Sequence, residues 1–236
     1  LGDSLRIEAG VFHSQRALEN SFSDSLFGVT PDGGLANRLV IADGDSRDRS
    51  LSGEFRLVRQ WSAGRFEHRF IASVRGRSRD RLFGGSSALS LGPGPGNIFT
   101  AEGWPEPDFT VGEKNQDRIR QITAGLSYNL LWQGTASLDI GVSKSRYRKA
   151  IDFADTAEAD TVTRDRPLLW NVAGSLALQD NLYLFGGISR GQEDALIAPD
   201  IAANRSEAPP AIRTSQVEAG LRWGMTPNLS LVAGLF

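Results

Sequence analysis

Four short turns and four long polar stretches alternate in strict order along the chain, and this order constrains the fold more than any other feature. Ser62-Ala63-Gly64, Leu131-Trp132-Gln133, Gln179-Asp180-Asn181 and Met225-Thr226-Pro227-Asn228 read as tight turns. Between them lie 15 to 49, 78 to 116, 148 to 165 and 191 to 211, which are polar or rich in Gly and Pro. If strands run up and down between these connections, every long loop emerges on one side. A transmembrane barrel of the bacterial outer membrane has this asymmetry, with short periplasmic turns and longer extracellular loops. A soluble sandwich has little reason to sort its connections by length.

Period-two alternation supplies the strands. In Gln216 to Trp223, Val217, Ala219, Leu221 and Trp223 share one face while Gln216, Glu218, Gly220 and Arg222 share the other. At 51 to 61, Leu51, Gly53, Phe55, Leu57 and Trp61 oppose Ser52, Glu54, Arg56 and Gln60. Arg59 interrupts the apolar row near the strand end, where a long side chain can snorkel to water. At 66 to 75 the apolar row is Phe66, Phe70, Ala72 and Val74, with His68 as its exception. Further strands are expected at about 4 to 14, 118 to 130, 135 to 147, 167 to 178, 182 to 190 and 229 to 236, making about nine in the wall. The strand-like stretch 35 to 44 would put later long loops on the wrong side if it crossed the wall. It is therefore expected to be β structure inside the first long loop.

The aromatic residues fit the same reading, since barrels carry aromatic girdles where lipid meets water. Trp61, Tyr128 and Trp223 fall near short turns in the apolar rows, Phe66 and Tyr183 also lie near short turns, and Trp170 lies near the long-loop end. Tyr183 falls in the row opposite Leu182 and Leu184. No run of 18 apolar residues exists, so a spanning helix is excluded and any crossing must use strands.

Composition removes several function classes. The formal net charge of −2 gives no global attraction to nucleic acid. With no cysteine, disulfides, thiolate metal sites and cysteine nucleophiles are excluded. His13 and His68 are far apart and without carboxylates at ligand spacing, so no metal site is expected. Nor does His68 have a serine partner for hydrolysis, so no catalytic residue, cofactor or enzymatic activity is expected. Gly92-Pro93-Gly94-Pro95-Gly96 lacks the following Lys-Ser/Thr and helix of a phosphate-binding loop and reads as a flexible loop.

Several motifs together carry a family resemblance. They are Ser52-Gly53-Glu54-Phe55-Arg56-Leu57, Ala72-Ser73-Val74-Arg75-Gly76-Arg77 with Phe83-Gly84-Gly85, and Ser189-Arg190-Gly191 leaving a strand. Ala198-Pro199-Asp200 and Ala203-Asn204-Arg205 follow in a loop, then Pro210-Ala211-Ile212-Arg213-Thr214 leads into the 216 to 223 strand. The turn Thr226-Pro227-Asn228 and the strand Leu229 to Phe236 complete the pattern. In these residues the chain resembles the C-terminal part of the barrel of a TonB-dependent receptor, of the siderophore-receptor type. The resemblance implies active import of a ferric siderophore or similar scarce nutrient, contact with outer-membrane lipid, and energy from the TonB complex through a plug domain.

The whole chain, 1–236, is thus expected to be one all-β domain. The resemblance implies a partial wall of an antiparallel up-and-down barrel, expected to lack a plug portion and to be truncated relative to its parent. The opening Leu1-Gly2-Asp3-Ser4-Leu5 has no signal-peptide character and reads as the start of a mature or excised piece. Candidate ligand contacts are Arg75, whose cationic group would attract an anionic chelate, and Phe99, Trp104 and Phe109 in the second long loop. Pairing with lumenal Glu54 or Glu67 is the favoured alternative for Arg75, and packing within the loop is the alternative for the aromatics. Competing readings are a passive outer-membrane porin and a soluble β-sheet ligand-binding module.

Overall fold

The computed structural model describes residues 4–93, 97–99, 108, 110–155, 157, 159–193 and 211–236. Among these the regular elements are all strands: β1 (Ser4–Leu18), β2 (Ser21–Phe27), β3 (Asn37–Asp43), β4 (Ser46–Ala63), β5 (Phe66–Phe83), β6 (Ser87–Ser90) and β7 (Asn115–Trp132). They continue as β8 (Ala136–Asp152), β9 (Thr161–Asp165), β10 (Leu168–Gln179), β11 (Leu182–Glu193), β12 (Ile212–Thr226) and β13 (Leu229–Leu235). The main sheet is antiparallel in the order β1-β4-β5-β7-β8-β10-β11-β12-β13, and β9 adds to the free end of β8. Its nine through-strands are the nine expected from alternation. β1 and β13 each pair on one side only, so the sheet is open.

Four of these strands run to 17 or 18 residues, whereas a tilted strand crosses lipid in roughly 9–11. The surplus lies at the long-loop end, where residues 46–50, 76–83, 115–117 and 148–152 continue the ladder into stretches expected to be loop or boundary. Beyond the lipid the outer face no longer has to be apolar. The alternation fades there while hydrogen bonding continues.

At the other end the connections are as tight as expected, with shifted edges. Ala63 still pairs with Phe66, leaving Gly64-Arg65 as the turn, with Gly64 at φ 62°. Trp132 belongs to β7 rather than to a turn, because it pairs with both Phe66 and Ala136. The turn there is 133–135.

One face of the sheet carries Leu57, Phe70, Leu126, Ile140, Val172, Leu184 and Leu221, all large, apolar and more than a third exposed. The register lines up Leu57 with Ala72, Ala72 with Leu126, Leu126 with Val142, and Val172 with Ile188, so the rows form one continuous belt. The total accessible surface is 15761 Å². A compact water-soluble protein of this mass exposes about 10,400 Å². The excess is largely this belt, and two unpaired sheet edges add to the cost. The 236-residue chain expressed alone is expected to aggregate or to require detergent. Size-exclusion chromatography without detergent checks this, and a stable monomer there would contradict a lipid-facing belt.

The opposite face is concave. The segment leading into β12 meets two neighbouring strands from which it is distant in the sheet: Ile119 of β7, Tyr147 of β8 and Ala211 form one buried cluster. On this side the chains pack closely enough to require glycine at 220. A Cβ there would lie 2.5 Å from the Ala233 carbonyl and 2.6 Å from the Phe185 ring.

The stretch 35 to 44 is off the wall, as expected. β3 lies at the centre of a separate three-stranded sheet ordered β2-β3-β6, which joins the first long loop to the second. Val40 and Ala42 are its buried apolar residues.

Candidate functional site

The girdle near the short turns is built from side chains that the register brings side by side. Trp61 stacks on His68 at 4.8 Å between ring centroids and 9° between planes, and Phe66 meets Trp132 at 5.6 Å. The Nδ1 of His68 lies 2.7 Å from the Tyr128 hydroxyl. The one polar break in the apolar row thus sits among aromatics at the lipid edge, where its polar tip has a partner. Arg59, the other break, faces outward between Leu5 and Phe70, near the same edge.

Apart from its buried apolar cluster, the concave face carries many polar groups. Ser137 and Ser175 share a 2.7 Å hydrogen bond, Thr123 donates to Ser145 at 3.0 Å, and Arg56 holds Glu54 at 2.6 Å. Nearer the loops, the Nε of Arg79 donates to Asp48 at 2.9 Å, and Lys149 faces Asp117 at 3.8 Å with both side chains buried. Both signs of charge interleave, as a hydrated interior allows.

Arg75 faces into this interior. It lies opposite Glu54 on one side and Thr123 on the other. Among the described residues Arg75 makes no direct ion pair with Glu54, which is bonded by Arg56, although the two charges lie close enough to act on each other; Glu67 accepts from Gln133 at 2.7 Å. Arg75 therefore lines a cavity of about 620 Å³ together with Phe12, Glu54, Gln121 and Gln192. Gln192 comes from the far side of the sheet. Its amide is buried with no hydrogen-bond partner among the described residues. No sequence pattern singles out Gln192, which falls in the stretch expected to be loop.

Phe99 is not near Arg75 in this cavity. It is 71% exposed in the second long loop, with its amide donating to Asn97 at 2.9 Å, and the adjacent Ile98 amide is fixed to the Gly33 carbonyl at 3.0 Å. Trp104 and Phe109 lie outside the described residues, as do residues 94–96 of the Gly-Pro run. Gly92 of that run accepts from the Arg38 amide at 3.0 Å, extending the loop sheet. In that sheet Arg38 is buried on Asp24 through hydrogen bonds of 2.8 and 2.9 Å from Nε. The carboxylate bonding raises the guanidinium pKa above its ordinary value. The loop sheet is thereby clamped by charge as well as by backbone.

No protein-family model matches the chain, and no curated protein matches it significantly. Solved structures do match by fold. The ferric preacinetobactin receptor BauA of Acinetobacter baumannii superimposes at a TM-score of 0.60 with 17% identity, over 93% of this chain and 33% of that one. The ferric-catecholate import receptor Fiu of E. coli K12 gives 0.61 with 12% identity, over 98% and 40%. The siderophore receptor PiuA of A. baumannii gives 0.60 with 13% identity, over 98% and 37%. The chain thus spans about a third to two-fifths of the length of these structures. Its fold is that of the barrel wall of siderophore receptors.

Proposed function

We propose that the chain forms part of the wall and outer mouth of an outer-membrane TonB-dependent receptor that imports a ferric siderophore. The observation that carries this reading is the nine-strand antiparallel sheet whose exposed face is apolar and whose concave face is charged, with every long loop on one side. An apolar outside and a polar inside suit lipid and a hydrated lumen, respectively. The matched structures are siderophore receptors rather than enzymes.

In this reading, residues 1–236 supply barrel wall only, and the plug and TonB contact belong to other parts of the gene product. Arg75 and Gln192 present a cation and an amide to the lumen, suited to the anionic oxygens of a metal chelate. Phe99, with Trp104 and Phe109, would meet the ligand at the mouth.

The test is uptake by the full gene product in a Gram-negative host stripped of its own iron receptors. Radio-iron is offered as a ferric catecholate, a ferric hydroxamate and ferric citrate. Uptake of at least one complex is expected, and it should vanish when the host's TonB is deleted. TonB-independent passage of small sugars with no iron uptake would favour the passive porin instead.

A further inference from the structure

At its upper end the hairpin of β11 and β12 leaves the wall. The ladder of β11 with β10 ends at Trp170 and Arg190, and that of β12 with β13 ends at Ala219 and Leu235. Beyond these points the two strands stay paired to each other, with Gly191, Gln192 and Glu193 opposite Thr214, Arg213 and Ile212. Among the described residues they form a two-stranded ribbon with no further strand beside it. Alternation puts Gln192 and Arg213 on the same side as Ile188 and Val217, which lie in the exposed apolar rows lower down. Yet Gln192 lines the Arg75 cavity, and Arg213 donates to Asp165 at 2.8 Å, opposite Tyr147 on the concave face. A side that starts toward lipid meets the inner face of β5 to β9 only if the ribbon bends in across the lumen.

Burial beneath the ribbon agrees. Ile119 and Tyr147 are each 1% exposed, on a face that a hydrated lumen would wet. Ala211, at the foot of the ribbon, packs against this pair. The hold is light. An ion pair whose arginine is half-exposed contributes little, and the apolar seat receives a single methyl group. Closing also buries the Gln192 amide without a partner among the described residues, which opposes the closed position. A ribbon that keeps its own hydrogen bonds and is tied to its seat by so little can leave it as a unit.

We propose that this ribbon is a gate in the wall itself. Seated on Ile119, Tyr147 and Asp165, it closes the Arg75 cavity toward the long-loop side, and it swings out about Arg190 and Ser215 to admit a solute. The inference rests on the barrel reading above, because only in a barrel is the concave face a lumen.

These 236 residues contain no cysteine, so an introduced thiol serves as the reporter. Thr123 lines the cavity and is 3% exposed. The full gene product carrying Thr123→Cys is placed in the outer membrane of an intact Gram-negative host and labelled with a membrane-impermeant maleimide. Labelling is expected to be slow, and adding Arg213→Ser should speed it about fivefold, the ratio set by losing an exposed ion pair at the upper end of its range. Reversing the pair, Arg213→Asp with Asp165→Arg, should restore the slow rate, which a merely disordered ribbon would not do. This arm needs no known ligand. In a second arm, Arg213→Cys and Asp165→Cys are bridged by a short, reducible bis-methanethiosulfonate linker. Uptake of the ferric catecholate, hydroxamate or citrate that the unlinked protein imports should stop, and return when the linker is reduced. Equal labelling with and without Arg213→Ser, or undiminished uptake by the linked protein, would overturn the gate while leaving the barrel in place. A gene product recovered from the soluble fraction would overturn the barrel reading and this inference with it.

Discussion

Leu126→Arg is expected to destabilise the inserted wall by about 2–4 kcal/mol, the cost of an arginine at the lipid midplane of a barrel. Leu126 is 49% exposed on the outer face, between Ala72 and Val142 on the flanking strands. Its chain neighbour Ser127 faces the concave side, opposite Ile71 and Gly141. Ser127→Arg should therefore cost no more than about 0.5 kcal/mol, as for a hydrated surface position. Urea titration of the full gene product in phosphatidylcholine vesicles measures both. The two positions are one residue of register apart and so sample opposite faces of the same strand. Similar losses for the two substitutions would mean that the faces are not lipid and lumen.

That contrast marks how far the sequence could be read. Within the lipid belt each position must choose between hydrocarbon and water, so period-two alternation in segments such as Gln216 to Trp223 revealed both the strand and its faces. Above the belt both faces meet water. The constraint lapses, and with it the signal, so the upper parts of β4, β5, β7 and β8 read as loop or boundary although their ladders continue unbroken. Short strands in the loops were partly legible. β3 showed through its buried Val40 and Ala42, whereas β2, β6 and β9 have no comparable apolar pattern.

The candidate site followed the same rule. Arg75 could be placed on the inner face because it sits within an alternating strand. The partner that bonds Glu54 could not, because Arg56 reaches two residues back along its own strand to occupy the carboxylate. The place of Gln192 in the cavity depends on which distant strands meet across the concave face. Nothing local in the sequence encodes that pairing.

The inner face above the belt holds the second large expected effect. Asp117 and Lys149 are each 4% exposed and lie 3.8 Å apart, beside the cluster of Ile119, Tyr147 and Ala211. Removing one member of a buried pair leaves the other charge without its counter-ion, at about 3–5 kcal/mol. Asp117→Ala should lose that much in a urea titration of the full gene product. Changing both, Asp117→Leu with Lys149→Met, removes the two desolvation costs together and should return most of the stability. The double variant is the informative one. If it is as unstable as Asp117→Ala, these residues act through other contacts than their mutual charge. If Asp117→Ala alone costs under about 1 kcal/mol, as an exposed pair would, lumenal water reaches Lys149 and the upper wall is hydrated through to its inner surface.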